Sequence, residues 1–516
     1  MIVMNATAMV SRPAGSGVCP SSGAAKVACF LRGEKLSPIP FPGFAAPEDG
    51  RTPLINASCA FLLFCLTFFL STFCVDAAHA EGVPIFSSNK IVVMISVDGL
   101  AGFYLDDPKA NMPTIRELAA AGARAESMKP CAPTVTWPNH TTLVTGVNSA
   151  KHGVIGNNYF DRATGHRVVL ISDPTYDKIQ IVKVPTLYDL AKAAGLKTAA
   201  ILWPATRNAP TLDWTMPDVA LIDLVEKYST PALVTECKEA GLEFVGEVNG
   251  PKREPSDAQN TQVFKLILRQ HHPDLALLHL IAVDHTQHLY GPRSAEAYAA
   301  IKAADEQVRE VWETLRLEFP ERATLFVVSD HGFSPIIQII LPNVVLKKAG
   351  LLSLAKSNKI QSAVDFVSQG GCAMLYIRDQ STRTATVAKI KKAFSDVKGI
   401  SKIVDPQHLK DYGLADPSQD PHAPDMLLFA EEGKAFGDTA AGDLPFEQKP
   451  ERKGSHGHDP NLPHLHATFV AWGVGIKPGA RVGEIPNTDV APTIARLIGV
   501  TIPNPDGQVL SAILAK

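Results

Sequence analysis

The chain is poor in cysteine, and the cysteines that it has are badly placed for disulfides or metal sites. Five of its eight cysteines lie within the first 80 residues. The other three, Cys131, Cys237 and Cys372, are far apart, and none belongs to a Cys-x-x-Cys pair. Three thiols allow at most one disulfide. The sequence therefore disfavours a disulfide framework, a cysteine-based zinc site and a dithiol redox motif.

The chain also lacks an excess of charge of either sign. It has 49 Lys and Arg against 52 Asp and Glu, for a formal net charge of −3. Without a basic excess, the sequence offers no nucleic-acid-binding surface, and no acidic run marks a solvated tail. Internal repeats are absent as well. Apolar residues make up 46% of the chain, which is ordinary for a folded globular protein.

The N-terminal residues do not resemble the rest of the chain. Residues 1–53 are rich in Gly, Pro, Ser and Ala and have no sustained periodicity, so we interpret them as an unstructured extension or a misassigned start. Residues 54–80 contain an apolar run, Cys59–Val75, followed by Ala78-His79-Ala80. This pattern is typical of a secretory signal peptide cleaved after Ala80.

Cleavage at that point predicts a periplasmic or secreted protein that consists of residues 81–516. The alternative is a leader retained as a membrane anchor. The apolar run is short for that role, because a membrane span needs roughly 20 apolar residues. A membrane partner is expected only if the leader is retained.

Buried strands and amphipathic helices alternate along the rest of the chain. Continuous apolar runs predict the strands Lys90–Gly99, Leu196–Pro204, Asp274–His285, Ala323–Gly332 and Ala467–Gly473. Helical periodicity and end signals predict the helices Met112–Ala123, Val184–Gly195, Ser294–Phe319 and Asp489–Val500. This alternation predicts an α/β fold with a mostly parallel sheet. Residues 205–270 and 335–455 are polar and weakly periodic, and we interpret them as insertions over the active face.

Three of the predicted strands end in the same way, with an acidic residue at or near the carboxyl end. The endings are Asp98-Gly99, Asp284-His285 and Asp330-His331-Gly332. Ligands of open α/β sheets bind at this edge. Several carboxylates gathered there would repel one another, and divalent cations are the simplest compensation. A single such ending is usually only a turn, but three of them are hard to explain by turns alone.

Histidines follow the same pattern. His288 lies four residues after Asp284, so one helical turn would place both on one face, and His456 and His458 share a glycine-flanked loop. Asp and His ligands without Cys suit catalytic Zn²⁺. Two such ions are the usual device for displacement at phosphorus.

The segment CAPTVTWPNHTTLVTG (Cys131–Gly146) places hydroxyls just ahead of a predicted short helix. A hydroxyl at a helix N-terminus lies beside unpaired backbone N–H groups, where a phosphate oxyanion can bind. Coordination to a metal would turn a threonine hydroxyl into a nucleophile. Thr134 and Thr136 are both near the helix start, and either could instead be only a cap.

With these residues in place, the chain resembles the nucleotide pyrophosphatase/phosphodiesterase family of the alkaline phosphatase superfamily. The resemblance covers roughly residues 90–505 and rests on five segments in order: SVDG, PTVTWPNHTTLVTG with HGVIGNNYFD, VDHTQH, VSDHG and SHGHD. It implies an alkaline-phosphatase-like three-layer α/β/α sandwich. It also implies a phosphodiesterase or nucleotide pyrophosphatase that acts on a small phosphodiester or nucleotide through a phospho-threonine intermediate.

The resemblance assigns roles to individual residues. It makes Thr136 the nucleophile, Asn157 a hydrogen-bond donor to a phosphate oxygen, and Trp137 an aromatic that stacks on the substrate. It implies two Zn²⁺ per chain, one held by Asp98, Thr136, Asp330 and His331, the other by Asp284, His288 and His456. The loop reads His-Gly-His-Asp-Pro where the family has His-Gly-aromatic-Asp-Asn, so His458 competes with His456.

The sequence is compatible with two other functions. A phosphomonoesterase of the same superfamily would need extra cations near the phosphate, and Arg207 in ILWPATRNAP keeps that alternative alive. A catalytically silent binding protein would be expected to have lost a ligand or the nucleophile, and none is missing. A sulfatase is disfavoured, since the chain lacks a Cys or Ser followed by Pro and Arg at the nucleophile.

Overall fold

The structure of the protein is a computed structural model that describes residues 90–171, 176–219, 222–242, 257–354, 360–448 and 450–516. The described residues belong to one compact unit. The predicted extension and signal peptide lie outside the described residues. Within the described ranges, no helix combines the length and apolar character needed to cross a bilayer.

An eight-stranded sheet forms the centre of the fold, in the order β20-β2-β19-β8-β1-β7-β5-β6. All neighbouring pairs are parallel except those of β19, which is antiparallel to both β2 and β8. The strands are β1 (Ile91–Val97), β2 (Ala123–Lys129), β5 (Thr198–Ile201), β6 (Trp214–Met216), β7 (Leu275–Leu280), β8 (Ala323–Val328), β19 (Phe469–Gly473) and β20 (Ala480–Pro486).

Both faces of this sheet are buried, because apolar side chains alternate between two separate cores. In β1, Val93 and Ile95 belong to one core, whereas Val92 and Met94 belong to the other. Helices α1 (Pro113–Ala121), α8 (Asp257–His271) and α10 (Ala295–Glu318) supply the first core, and α2 (Thr136–Thr145), α5 (Leu187–Ala193) and α13 (Val490–Ile498) supply the second. The result is a three-layer α/β/α sandwich, as predicted.

Residues 334–455 add two four-stranded sheets. One is antiparallel, in the order β12-β13-β15-β14; the other is built around β9, which pairs with β16, β17 and β18. Their strands are β9 (Ser334–Ile340), β12 (Val364–Gln369), β13 (Cys372–Ile377), β14 (Ile400–Val404), β15 (Met426–Ala430), β16 (Gly433–Phe436), β17 (Phe446–Gln448) and β18 (Gly454–Ser455).

The remaining strands and α-helices of the described residues lie outside these sheets. They comprise the hairpins β3 (Asn158–Asp161) with β4 (His166–Val169) and β10 (Leu352–Leu354) with β11 (Ile360–Ser362). They also comprise α3 (Ser149–His152), α4 (Lys178–Ile181), α6 (Ile222–Tyr228), α7 (Pro231–Glu239), α9 (Ala282–Tyr290), α11 (Pro342–Lys348) and α12 (Arg383–Phe394).

Two sequence-based interpretations need correction. Residues 205–270 are not only an insertion, because they contain the edge strand β6 and helix α8 of the sandwich. Residues 335–455, which the sequence predicts to be an insertion, contain sheets that bury an apolar core of their own. The strand predicted over Asp274–His285 ends at Leu280, and its last residues begin helix α9.

Candidate active site

Two carboxylates arrive at the same point because β1 and β8 are paired neighbours in register. Ser96 of β1 pairs with Val328 of β8, and Asp98 and Asp330 each follow two residues later. Both strands are parallel, so both aspartates leave the sheet at its carboxyl edge. Asp98 and Asp330 are 2% and 0% exposed. The sheet register therefore forces two buried carboxylates together.

Asp98, Asp330 and His331 form what we call the strand-end group. One ligand atom from each lies within 4.8 Å of the others. His331 Nε2 is 3.0 Å from Asp330 Oδ2 and 3.6 Å from Asp98 Oδ1. The other oxygen of Asp330 accepts a hydrogen bond from Gly99 N–H at 3.1 Å, and His331 Nδ1 lies 3.1 Å from the Gly332 carbonyl. Each side chain is thus held by one atom and presents the other.

Asp284, His288 and His456 form a second set, the helix-and-loop group. Asp284 and His288 are four residues apart on α9, and His456 reaches them from the loop after β18. His288 Nε2 is 3.1 Å from His456 Nε2 and 3.6 Å from Asp284 Oδ2, and His456 Nε2 is 3.4 Å from Asp284 Oδ1. Ligand atoms of Asp284, His331 and His456 also lie within 4.8 Å of one another. His331 therefore connects the two groups.

The tautomers of His288 and His456 follow from the contacts of Nδ1, the ring nitrogen that faces away from Asp284. His288 Nδ1 is 3.0 Å from the Gly454 carbonyl, and His456 Nδ1 is 3.0 Å from the Thr134 carbonyl. A carbonyl only accepts, so each Nδ1 carries the proton and each neutral ring presents an Nε2 lone pair. Two lone pairs and a carboxylate then face one another. That arrangement is repulsive unless a cation lies between them.

The donor atoms also fit a metal by distance and by their lack of partners. For metal–ligand bonds of about 2.0–2.1 Å, tetrahedral ligands are about 3.3 Å apart. In the helix-and-loop group the two Nε2 atoms are 3.1 Å apart, His456 Nε2 is 3.4 Å from Asp284 Oδ1, and His288 Nε2 is 3.6 Å from Asp284 Oδ2. Two buried carboxylate oxygens at the centre, Asp98 Oδ1 and Asp284 Oδ1, have no hydrogen-bond partner among the described residues, and Asp330 Oδ2 and His331 Nε2 have only each other, 3.0 Å apart. Buried polar atoms rarely lack partners, so their convergence marks a cation-binding centre.

The pKa values of these residues show how unfavourable the centre is without a cation. Burial, reinforced by the carboxylates of Asp330 and Asp284, raises the pKa of Asp98, and burial raises the pKa of Asp284 to about 6. Burial lowers the pKa of His288 to about 3, and burial with the nearby His331 lowers the pKa of His456. At neutral pH the two imidazoles are therefore neutral, as metal ligation requires.

The two threonines of the turn before α2 have different surroundings. Thr134 is fully buried; its Oγ1 donates to the His458 carbonyl and accepts from Gly457 N–H, both at 3.0 Å. Thr136 begins α2 and lies in the wall of a cavity that Asp284, His288 and His456 also line. Its hydroxyl makes no hydrogen bond to any described residue. His140 Nδ1 is 2.9 Å from the Thr136 carbonyl and 3.6 Å from Asp330 Oδ2, which places Thr136 beside the strand-end group.

Asn157 presents a hydrogen-bond donor to the same cavity. Its Oδ1 accepts from Trp137 N–H at 2.9 Å, one of the N–H groups at the start of α2 that have no partner within the helix. The amide orientation follows, because the oxygen must face this donor. Asn157 Nδ2 is left without a hydrogen-bond partner among the described residues, in the wall of a cavity of about 480 Å³.

Three residues that the sequence analysis considered for the site, Trp137, His458 and Arg207, do not line the cavity. The ring of Trp137 is 1% exposed and packs in an apolar core with Ile155 and Tyr376, so the predicted stacking on a substrate disagrees with the structure. His458 is also turned away, with Nε2 2.7 Å from the Lys434 carbonyl, so His456 is the histidine of this loop in the centre. Arg207 pairs with Asp177 and is not part of the cavity wall, in which Arg452 is the one guanidinium among the described residues.

Two buried histidines behind the strand-end group were not predicted. His279 lies on β7 with Nε2 2.9 Å from Asp98 Oδ2, and its ring centroid is 4.2 Å from that of His140. His279 interrupts the otherwise apolar run LALLHL. A polar residue inside a fully buried strand was the available signal, because buried polar groups need a partner.

Comparison with known proteins gives relatives and a fold. The family model described as type I phosphodiesterase / nucleotide pyrophosphatase matches residues 92–459. The venom phosphodiesterase of Macrovipera lebetinus is 24% identical over 433 residues, which cover 82% of this chain and 45% of that protein. Ectonucleotide pyrophosphatase/phosphodiesterase family member 1 of Mus musculus is 24% identical over 425 residues, covering 80% and 41%. The chain thus spans less than half the length of these relatives.

Solved structures support the fold independently. An inactive variant of murine ectonucleotide pyrophosphatase/phosphodiesterase 5 in complex with AMP has a TM-score of 0.60 at 18% identity, over 83% of this chain and 100% of that one. The human counterpart has a TM-score of 0.61 at 18% identity and the same coverage. The three-layer sandwich is therefore shared with these proteins.

Proposed function

The chain belongs to the type I phosphodiesterase / nucleotide pyrophosphatase family, and from this premise we propose that it is a metal-dependent hydrolase of phosphodiester or phosphoanhydride bonds. One observation carries the proposal: potential metal-ligand atoms of Asp98, Asp284, Asp330, His331 and His456 converge next to a cavity whose wall contains the Thr136 hydroxyl, which makes no hydrogen bond to a described residue. A phosphoryl-transfer site needs this combination of cation ligands and a nucleophile.

We assign two Zn²⁺ to the centre. Asp98, Asp330 and His331, with Thr136 Oγ1, would hold the first ion, and Asp284, His288 and His456 would hold the second. The donor set of Asp and His without Cys suits zinc in a catalytic site. When bound, such ions lower the pKa of a coordinated hydroxyl or water and neutralise charge on the phosphoryl group.

The protein's own residues define the two chemical steps. In the first, a bond forms between Thr136 Oγ1 and phosphorus, the bond from phosphorus to the leaving oxygen breaks, and the threonine proton ends on the departing alcohol or phosphate. In the second, water attacks phosphorus and the bond to Oγ1 breaks, which returns the hydroxyl to Thr136. Asn157 Nδ2 donates to a non-bridging oxygen in both steps, because the Trp137 N–H fixes the amide orientation.

The surroundings of the cavity favour a diester over a monoester. A monoester carries an additional negative charge and calls for extra cations beside the phosphate. Arg207 faces Asp177 instead, with Nε 2.8 Å from its carboxylate. Arg452 does line the cavity, and this single guanidinium keeps a phosphomonoesterase as the second candidate function. A catalytically silent binding protein is disfavoured, since every predicted ligand and the nucleophile are present.

The substrate that we propose is a small phosphodiester or nucleotide. The relatives named above are phosphodiesterases and nucleotide pyrophosphatases, and the cavity of about 480 Å³ is of the size of small-molecule sites. We further propose that the protein acts in the periplasm or outside the cell, as the apolar run before Ala80 and the names of the venom and ectonucleotide relatives suggest. N-terminal sequencing of the purified protein should find Glu81, whereas an intact leader on membranes would favour an anchor.

Turnover of two chromogenic substrates tests the proposed function. Zinc-supplemented protein should hydrolyse bis-p-nitrophenyl phosphate with a kcat/KM well above that for p-nitrophenyl phosphate. The reverse preference would favour the phosphomonoesterase. Absence of turnover with both substrates, in protein shown to contain metal, would favour the silent binding protein.

A further inference from the structure

Gln369, the last residue of β12, forms hydrogen bonds with the backbone of Asn157 and of Asn158. Its Oε1 accepts from Asn157 N–H at 3.0 Å, and its Nε2 donates to the Asn158 carbonyl at 2.5 Å. The side chain is 4% exposed although it lies in the cavity wall. One side-chain amide thus forms hydrogen bonds with the backbone of two consecutive residues at the point where the loop enters β3.

The fit between this amide and the loop depends on Gly156. A Cβ at Gly156 would lie 2.7 Å from Gln369 Nε2 and 2.8 Å from the Asn158 carbonyl. The close approach therefore requires a residue without a side chain at position 156. The reason is lack of space and not backbone conformation, because the φ of Gly156 is outside the left-handed region. Gln369 and Gly156 are 213 positions apart, so only the folded chain brings them together.

The other hydrogen bonds of Asn157 show how the contact with Gln369 helps to fix the position of Nδ2. Asn157 O accepts from Leu170 N–H at 2.9 Å, Oδ1 accepts from Trp137 N–H at 2.9 Å, and N–H donates to Gln369. Each polar atom of Asn157 other than Nδ2 is thus engaged. Without Gln369, the segment before β3 would keep fewer fixed points, and Nδ2 could turn or shift away from the phosphate position.

We propose that Gln369 is a positioning residue for phosphate binding, which acts by holding Asn157 so that Nδ2 faces the substrate. This inference rests on the proposed function, because it takes Asn157 as a donor to a phosphate oxygen. It also gives the β12–β13 hairpin a role in the site. The turn after Gln369 contacts the metal-binding loop too, since Gly371 N–H donates to the His456 carbonyl at 2.7 Å.

The test uses Gln369→Met, which keeps the length of the side chain and removes both hydrogen bonds. A shift of about 1 Å in a positioned group can cost about a hundredfold in rate, so we expect a loss of about 10- to 100-fold in kcat/KM for bis-p-nitrophenyl phosphate. Affinity for tungstate, an oxyanion that is not turned over, should fall with it, while metal content stays unchanged. Gln380→Met is the matched control, because Gln380 donates to Ile377 O on the same small sheet, away from Asn157.

A double-mutant cycle with Asn157→Ala separates positioning from general stability. If Gln369 acts through Asn157, adding Gln369→Met to Asn157→Ala should change kcat/KM by less than about threefold. A full additional loss in that background, or no loss from Gln369→Met alone, would overturn the inference. If Asn157→Ala itself retains full activity, the role of Asn157 in the proposed function has failed instead.

A second variant keeps the inference testable if Gln369→Met does not fold. Gly156→Ala pushes on Gln369 from the other side and leaves every hydrogen-bonding group in the chain. We expect the same pattern, with weaker tungstate binding, lower kcat/KM and unchanged metal content. Tungstate affinity equal to that of the unaltered protein would contradict the inference.

Discussion

The strand-end group and the helix-and-loop group contain similar side chains but are assembled by different means. Asp98 and Asp330 each follow two residues after a pair of aligned residues on the neighbouring strands β1 and β8. The central sheet alone therefore brings them together. His456 instead reaches Asp284 across 172 positions, and its ring is oriented by the carbonyl of Thr134. The strand-end group is therefore part of the core, whereas the helix-and-loop group depends on a loop that meets helix α9 and the turn before α2.

The turn before α2 touches both groups through different threonines. Thr136 adjoins the strand-end group through His140, and Thr134 holds the loop that carries His456. We therefore expect alterations on the two sides of this turn to act differently, one on the chemistry and the other on the assembly of the centre.

The largest effect is expected from Thr136→Ala. The substitution removes the oxygen that attacks phosphorus, so kcat should fall about a thousandfold or more. The fold and most of the metal should be retained, because the hydroxyl is a neutral ligand and the charged ligands Asp98 and Asp330 remain with His331 to hold the first ion. Thr136→Ser, which keeps a hydroxyl, should retain much more activity. Steady-state kinetics of the two variants decide the point, and an active Thr136→Ala protein would show that another group is the nucleophile.

A smaller loss is expected when the helix-and-loop group is displaced without removing a ligand. Gly457 has a φ of 92°, and a Cβ there would lie 1.7 Å from the Gln369 carbonyl. Gly457→Ala should therefore shift His456 and lower the affinity for metal about 10- to 100-fold, as loss of ligand support does elsewhere. Gly483→Ala is the control, because nothing lies within 4 Å of its Cβ position. Equal metal affinity in both variants would remove the distinction between the two groups.

The pH dependence of metal binding should expose the helix-and-loop group. Burial raises the pKa of Asp284 to about 6, so below that pH a proton occupies the carboxylate and must leave before a cation binds. The zinc affinity of the helix-and-loop group should therefore fall about tenfold per pH unit below pH 6 for each proton displaced. Calorimetric titrations in buffers of different ionisation enthalpy measure the released protons. No proton release at pH 5.5 would contradict the assignment of Asp284.

The smallest effect on turnover is expected from Thr134→Val. This change keeps the shape and removes the hydroxyl that binds Gly457 and His458, which should cost about 1–3 kcal/mol in the free energy of unfolding. Activity should stay within a few-fold of that of the unaltered protein once metal is saturating. Chemical denaturation and kinetics on the same preparation test both parts. A dead Thr134→Val protein with normal stability would reverse the roles of the two threonines.

The strand-end group could be predicted from sequence because its cause is local. An apolar run that ends in an acidic residue shows both the strand and the place where its side chain leaves the sheet. The helical spacing of Asp284 and His288 predicts two of the three members of the helix-and-loop group. The choice between His456 and His458 could not be made that way. It depends on which ring meets the Thr134 carbonyl and which meets the Lys434 carbonyl, and both contacts are tertiary.

The remaining misses have the same origin. Trp137 follows Thr136 directly, but the first turn of α2 directs its ring into a core shared with residues more than 200 positions away, such as Tyr376. Strand β6 is only three residues long, and its place at the edge of the sheet comes from pairing with β5. Neither the burial of one aromatic nor so short a strand leaves a periodic signal in the chain.

Metal content tests the central claim most directly, since the claim is that each group holds one cation. Protein purified without chelator and desalted after zinc loading should contain close to two zinc ions per chain by elemental analysis. Asp98→Ala and His288→Ala should each contain close to one, because each removes a ligand from a different group. An unaltered protein with one ion or none, or either variant with two, would contradict the account.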